Sequence, residues 1–147
     1  MRIVFIGTGE IGVPTLQALL NSEHEVVAII TQPDKPVGRE QRIEPPPIKK
    51  AITKTRIPIL QPAKIKDPKT IEEIRGLTPD VIVVVAYGQI LPRDVLEIPR
   101  LACLNLHASL LPRWRGAAPI QAAIVAGDCE TGITVMPVSR SPAAIAA

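Results

Sequence analysis

The run Val81-Ile82-Val83-Val84-Val85-Ala86 contains no polar alternation, which a strand with one face in water would show. A segment of this kind has to be covered on both faces. That is the situation of a central strand in a parallel sheet with helices above and below it. The rest of the chain supplies matching elements. Residues 2–6 form a β-rich run, Gly7-Thr8-Gly9 a turn, and residues 11–20 place Ile11, Leu16, Leu19 and Leu20 on one helix face. Residues 25–31 read as a second strand. The segment 32–47 carries five prolines amid mixed charges and is expected to be a long exposed loop with no packed element.

Beyond it, the pattern predicts a short helix over 48–55, a short strand over 57–60 and a helix over 67–75 ended by Gly76. After the 81–86 strand come a helical turn at 92–96, a strand over 102–106, a helix over 118–126 and a strand over 131–136. Alternating β and α elements give an α/β class: an open, mostly parallel, Rossmann-like sheet with helices on both faces.

A chain of 147 residues is long enough for one domain and too short to promise two. The longest apolar run, from Val81 to Ala86, is far below the roughly 20 residues of a bilayer span, so no membrane association is expected. Met1-Arg2 leads straight into strand-like residues, a start unlike a secretory leader, so the expected compartment is the cytoplasm. Cys103 and Cys129 lack C-x-x-C spacing and suggest reduced thiols, with neither a metal site nor a disulfide framework. The net charge of +3 leans mildly toward an anionic partner, although so small an excess ordinarily serves solubility.

In sheets of this class, ligands bind at the carboxyl ends of the strands. The loops after Ile6, Ala86 and Leu106 are therefore expected to converge on one site. Gly7-Thr8-Gly9-Glu10-Ile11-Gly12 is a literal G-x-G-x-x-G between a strand and a helix, the context of a dinucleotide fingerprint. The second strand, however, ends in Thr31-Gln32-Pro33, where a ribose-binding acid would be required, and Asp34 lies beyond the proline. These glycines are read as serving a tight turn and close helix packing. Asn105 and His107 are two residues apart at a strand end, so both side chains share one face and can act on one substrate atom.

The segment after them, Ser109-Leu110-Leu111-Pro112-Arg113-Trp114-Arg115-Gly116, is similar to the signature of the formyltransferases that use 10-formyltetrahydrofolate. Continued as Ala117-Ala118-Pro119-Ile120-Gln121, it resembles the branch of that superfamily whose substrate is methionyl-tRNA. The segments at 31–39, 83–88 and 127–136 follow the same pattern in order, so the resemblance covers residues 1–136. It implies the formyltransferase fold, 10-formyltetrahydrofolate as formyl donor and the initiator methionyl-tRNA as RNA substrate; a monomer is the expected state, which the sequence itself does not fix. It assigns Asn105 and His107 to catalysis and Ser109, Leu110, Leu111 and Pro112 to the folate cleft, with residues 87–91 as an opposite wall. Arg39 and Arg42, in the proline-rich loop, fall where that branch contacts tRNA, although Glu40 replaces its usual glycine there.

The resemblance also implies an orienting Asp seven residues after Met136, where this chain has Ala143. Residues 137–147 depart from the pattern and are expected to be a poorly ordered tail. A C-terminal tRNA-binding β-barrel, implied for the branch, is not expected within these residues. Other folate-dependent formyltransferases, acting on glycinamide ribonucleotide or a sugar nucleotide, would share Asn105, His107 and the folate loop. A non-catalytic folate-binding fragment is a second alternative, and a dinucleotide-binding module, with NAD binding that depends on Gly9, is a third.

Overall fold

The computed structural model describes residues 1–52 and 55–138. Six strands form one sheet: β1 (Arg2–Gly7), β2 (Glu25–Ile30), β5 (Ile59–Leu60), β6 (Val81–Val85), β7 (Ala102–His107) and β8 (Thr134–Pro137). Their spatial order is β5-β2-β1-β6-β7-β8. All neighbours are parallel except the β7–β8 pair, which is antiparallel. The helices are α1 (Val13–Leu20), α2 (Pro47–Ala51), α3 (Pro68–Gly76), α4 (Arg93–Leu96) and α5 (Pro119–Val125). The fold is the open, mostly parallel Rossmann-like α/β sheet expected from the alternation of elements. No helix among the described residues is long and apolar enough to cross a membrane.

Period-two alternation along the strands divides the core into two layers. Val4, Ile6, Ile82 and Val84 pack with Ile71 and Ile74 of α3 and Val95 of α4. Ile3, Phe5, Val81, Val83 and Val85 pack on the other face with Leu16 of α1 and Ile48 of α2. All five residues of β6 are buried, the two-sided covering that its unbroken apolar run requires.

The segment 32–47 departs from the expected featureless loop. Lys35–Val37 (β3) and Arg42–Glu44 (β4) pair as an antiparallel hairpin, with Pro36 opposite Ile43. A two-stranded ribbon leaves the outer backbone groups of each strand in water, which is where a sheet tolerates proline. Gly38 and Gln41 close the turn with positive φ.

Smaller corrections occur elsewhere. The first helix opens with a 3-10 turn at Glu10–Gly12, and Gly76 lies inside α3. The last strand starts at Thr134, and Pro137 still belongs to it. The Val138 N–H donates to the Cys103 carbonyl at 2.8 Å, so the first two residues of the expected tail follow the sheet. Residues 139–147, where the rest of that tail was expected, lie outside the described residues. Of the two thiols, Cys129 is exposed, whereas Cys103 is buried and burial pushes its thiol up to about 12.

Gly7 shows why the first loop is glycine-rich. A Cβ there would lie 2.7 Å from Phe5 Cε1 and 2.8 Å from the Val85 carbonyl oxygen, whereas a Cβ at Gly9 would meet nothing closer than 3.5 Å. Gly7→Ala is therefore expected to cost about 1–3 kcal/mol through overpacking against backbone. Gly9 has a φ of −72°, which any residue adopts, and Gly9→Ala should stay within about 0.5 kcal/mol. Urea unfolding midpoints of the two variants measure this difference.

Candidate active site

In the strand order the chain leaves β1 toward β2 on one side and returns to β6 on the other, which opens a crevice at the carboxyl ends of these strands. Side-chain bonds tie the loops together there. Thr8 Oγ1 donates to the Tyr87 carbonyl at 2.9 Å, the Gln32 N–H donates to Thr8 Oγ1 at 3.3 Å, and Gln32 Nε2 donates to the Tyr87 carbonyl at 3.3 Å. The loops after β1, β2 and β6 thus form one rim.

Next to this rim lies a cleft of about 190 Å³, lined among others by Ile11, Ala86, Asn105, His107, Gly116 and Ile120. Asn105 and His107 are 6% and 5% exposed, and the alternating burial of β7 puts them on one face together with Cys103. Asn105 pairs in register with Val84 on one side and Met136 on the other, and His107 pairs with Thr134. Both residues are therefore fixed by a central strand and not by a loop. The structure brings together the pair that the sequence singles out.

The two side chains differ in their bonding. Among the described residues, Asn105's amide has no hydrogen-bond partner, so its donors are available to the cleft. The His107 ring is engaged at Nε2, which lies 2.9 Å from the Trp114 carbonyl oxygen. A carbonyl oxygen only accepts, so this contact requires the hydrogen on Nε2. In the neutral ring Nδ1 then carries the lone pair.

The signature segment wraps around this contact. Ser109 is fully buried, and its Oγ donates to the Arg113 carbonyl at 2.6 Å. Thr134 Oγ1 donates to the Ser109 carbonyl at 2.7 Å and accepts from the Leu111 N–H at 3.1 Å. The Leu111–Pro112 peptide is cis. Ser109, Leu110, Leu111 and Pro112 are not among the residues that line the cleft, whose wall on this side comes from Gly116, Ala117, Pro119 and Ile120. Leu110 is 49% exposed and lies against Gly132, close to where a Cβ would stand.

Residues 87–91, expected as an opposite wall, divide differently. Tyr87 and Leu91 are buried in the α3 layer, and burial raises the Tyr87 hydroxyl to about 12. From that strand end Ala86 reaches the cleft. Arg39 and Arg42 lie on the exposed hairpin, neither lines the cleft, and Arg42 forms an ion pair with Glu40 at 2.7 Å.

The glycine fingerprint is not arranged for a dinucleotide. The Gly9 N–H donates to the Ala86 carbonyl at 3.3 Å, and proline stands at the start of α1, which removes a donor that an anion would use. Asp34 is also occupied. Gln61 Nε2 donates to it at 2.7 Å and Lys49 Nζ at 2.8 Å, and these two partners hold its carboxyl below the usual range.

Sequence reasoning missed Asp128 and Thr134. Asp128 accepts from Arg113 Nη2 at 2.7 Å and from Trp114 Nε1 at 2.5 Å. Nothing periodic marks contacts that span fourteen residues or more. The resemblance over 127–136 contains both residues, but it gave neither of them a role.

Comparison with known proteins gives one consistent picture. The model of the formyl transferase family matches residues 1–141. The chain is 57% identical over 136 residues to methionyl-tRNA formyltransferase of Geotalea daltonii, covering 92% of this chain and 44% of that protein. It is 56% identical over 136 residues to the enzyme of the same name from Pseudomonas syringae pv. syringae, covering 92% and 43%. The chain thus spans less than half the length of these relatives. Among solved structures, phosphoribosylglycinamide formyltransferase from Bacillus halodurans superposes with a TM-score of 0.72 at 20% identity, covering 96% of this chain and 73% of that one. Glycinamide ribonucleotide transformylase 1 from Geobacillus kaustophilus gives 0.72 at 19%, covering 96% and 76%. At such identities the superpositions speak for the fold.

Proposed function

The chain belongs to the formyl transferase family, and from that membership we propose that residues 1–136 form the part that binds 10-formyltetrahydrofolate and transfers its formyl group to the amino group of methionyl-tRNA. The observation that carries this reading is the placement of Asn105 and His107 side by side, buried, on the wall of the cleft at the carboxyl ends of the strands.

The chemistry needs two things. As the neutral amine attacks the formyl carbon, charge develops on the formyl oxygen, and the nitrogen must shed a proton. Asn105's amide N–H groups suit the developing oxyanion. With Nε2–H committed to Trp114, the His107 ring offers Nδ1 as acceptor for the amine proton. Once protonated there, it becomes a second donor to the oxyanion. The new C–N bond to the methionyl nitrogen forms, the C–N bond to the folate breaks, and the departing folate nitrogen takes up a proton.

Ser109, Leu110, Leu111 and Pro112 shape the loop that flanks the cleft, with Leu110 as the apolar surface available to the folate. Arg39 and Arg42 stand on the hairpin as phosphate-directed cations for RNA. The setting is cytoplasmic and the chain acts as a monomer. The relatives above 50% identity favour methionyl-tRNA as acceptor over glycinamide ribonucleotide, because the neighbours bearing the latter name resemble this chain at 20% or less.

A single-turnover assay with labelled 10-formyltetrahydrofolate and excess chain tests the reading. Label is expected to appear on methionyl-tRNA and not on glycinamide ribonucleotide. No transfer together with no binding of a stable folate analogue overturns it.

A further inference from the structure

We infer that Asp128 is a positioning residue for His107, acting through the main chain of Trp114. The importance of this role for formyl transfer rests on the function proposed above, whereas the geometry does not. The His107 ring has one protein partner among the described residues, the Trp114 carbonyl. That carbonyl is presented by a residue with a φ of +55°, the left-handed region that a bulky side chain occupies only when its surroundings hold it there.

Asp128 is what holds it. Its carboxylate, 10% exposed, takes a hydrogen bond on each oxygen, from Arg113 Nη2 and from Trp114 Nε1. Both are charge-assisted bonds, which are shorter and stronger than neutral ones. The Arg113 guanidinium lies 5.2 Å from the centre of the Trp114 ring, so the two donors are also packed on each other.

Asp128 is itself anchored, because its N–H donates to the Ala123 carbonyl at 3.0 Å beyond the end of α5. A rigid connection therefore runs from α5 through Asp128 and the Trp114 peptide to the imidazole. Its consequence is chemical as well as spatial. While the Trp114 carbonyl stays in place, the neutral ring is held as the Nε2–H tautomer and Nδ1 is left for substrate. If Trp114 relaxes to an ordinary φ, the carbonyl turns away and the ring loses its reason to favour one tautomer.

The test reads the tautomer directly, by ¹⁵N NMR of the histidine rings in the full 147-residue chain at a pH where His107 is neutral. His24→Gln serves to assign the signals, since the chain has two histidines. The unsubstituted chain should show one protonated and one bare nitrogen for His107, with the proton on Nε2. In Asp128→Ala the two signals should move toward each other as the tautomers exchange. Asp128→Asn keeps an acceptor oxygen and should restore part of the separation. Should Asp128→Ala fail to fold, Trp114→Phe removes one of the two bonds while keeping an aromatic ring, and should shift the signals in the same direction by less.

A fixed Nε2–H tautomer in folded Asp128→Ala, or in Trp114→Phe where only that variant folds, overturns the proposal. So does tautomer exchange already present in the unsubstituted chain. A chain with the fixed tautomer that takes up no folate analogue refutes the formyl-transfer reading and leaves the positioning role standing.

Discussion

Formyl transfer by this 147-residue chain is expected to be about 10⁴-fold slower than transfer by the related methionyl-tRNA formyltransferases, compared in single turnovers at saturating substrate. The expectation rests on position 143. The similarity to those relatives extends over 136 residues, and the resemblance implies an orienting Asp where this chain has Ala143, outside the described residues. A carboxylate beside a catalytic imidazole stabilises the imidazolium that forms as the proton is taken. Catalytic groups that act as a unit lose most of their effect when one is removed. The Trp114 carbonyl can fix the tautomer of His107, but as a neutral acceptor it stabilises a developing cation less than a carboxylate does. Ala143→Asp alone should recover little of the rate if residues 137–142 do not present the new acid to His107. Transfer within tenfold of the relatives would mean that another group replaces the missing acid.

Asn105→Ala is expected to lower the remaining rate by a further 10²- to 10³-fold, roughly the cost of one oxyanion donor. The residue is 6% exposed and its amide has no partner among the described residues, so in the proposed reaction its donors would meet the oxyanion without first breaking a protein bond. This preorganisation raises the value of the donor in the transition state relative to the ground state. Folate affinity should change by less than about tenfold, since a ground-state formyl oxygen carries little charge. Asn105→Asp keeps the shape and reverses the electrostatics, and should be at least as slow. Single-turnover rates and calorimetric affinities for the two variants separate the effects. Loss of affinity with an unchanged rate constant would assign Asn105 to binding instead.

Much of the fold was legible because its signals are local. The unbroken apolar run at β6 required covering on two faces, and the two-residue spacing of Asn105 and His107 put them on one side of a strand whatever their neighbours. The hairpin at Lys35–Glu44 was hidden because proline density normally signals an unpaired chain, and its ladder is too short to leave a hydrophobic pattern. The glycines of the first loop match a dinucleotide fingerprint in spelling, yet Thr31-Gln32-Pro33 in place of a ribose-binding acid already favoured a tight turn and close packing. The close approach of Gly7 to Phe5 and Val85 agrees with that reading, whereas Gly9 has room for a Cβ. The signature around Ser109 pointed to the segment beside the cleft, but it could not tell which of its residues line that cleft. That depends on Thr134 and Asp128 folding the loop from outside, through contacts with no sequence period.

The most direct test of the account is titration of the ¹⁵N-labelled chain with a stable 10-formyl folate analogue, followed through its backbone amides. Saturable shifts should concentrate at Ala86, at Asn105 to Ala108 and at Gly116 to Gln121. Saturable binding that leaves residues 105–108 unmoved, or no saturable binding, would contradict the assignment of the Asn105–His107 cleft as the formyl-transfer site.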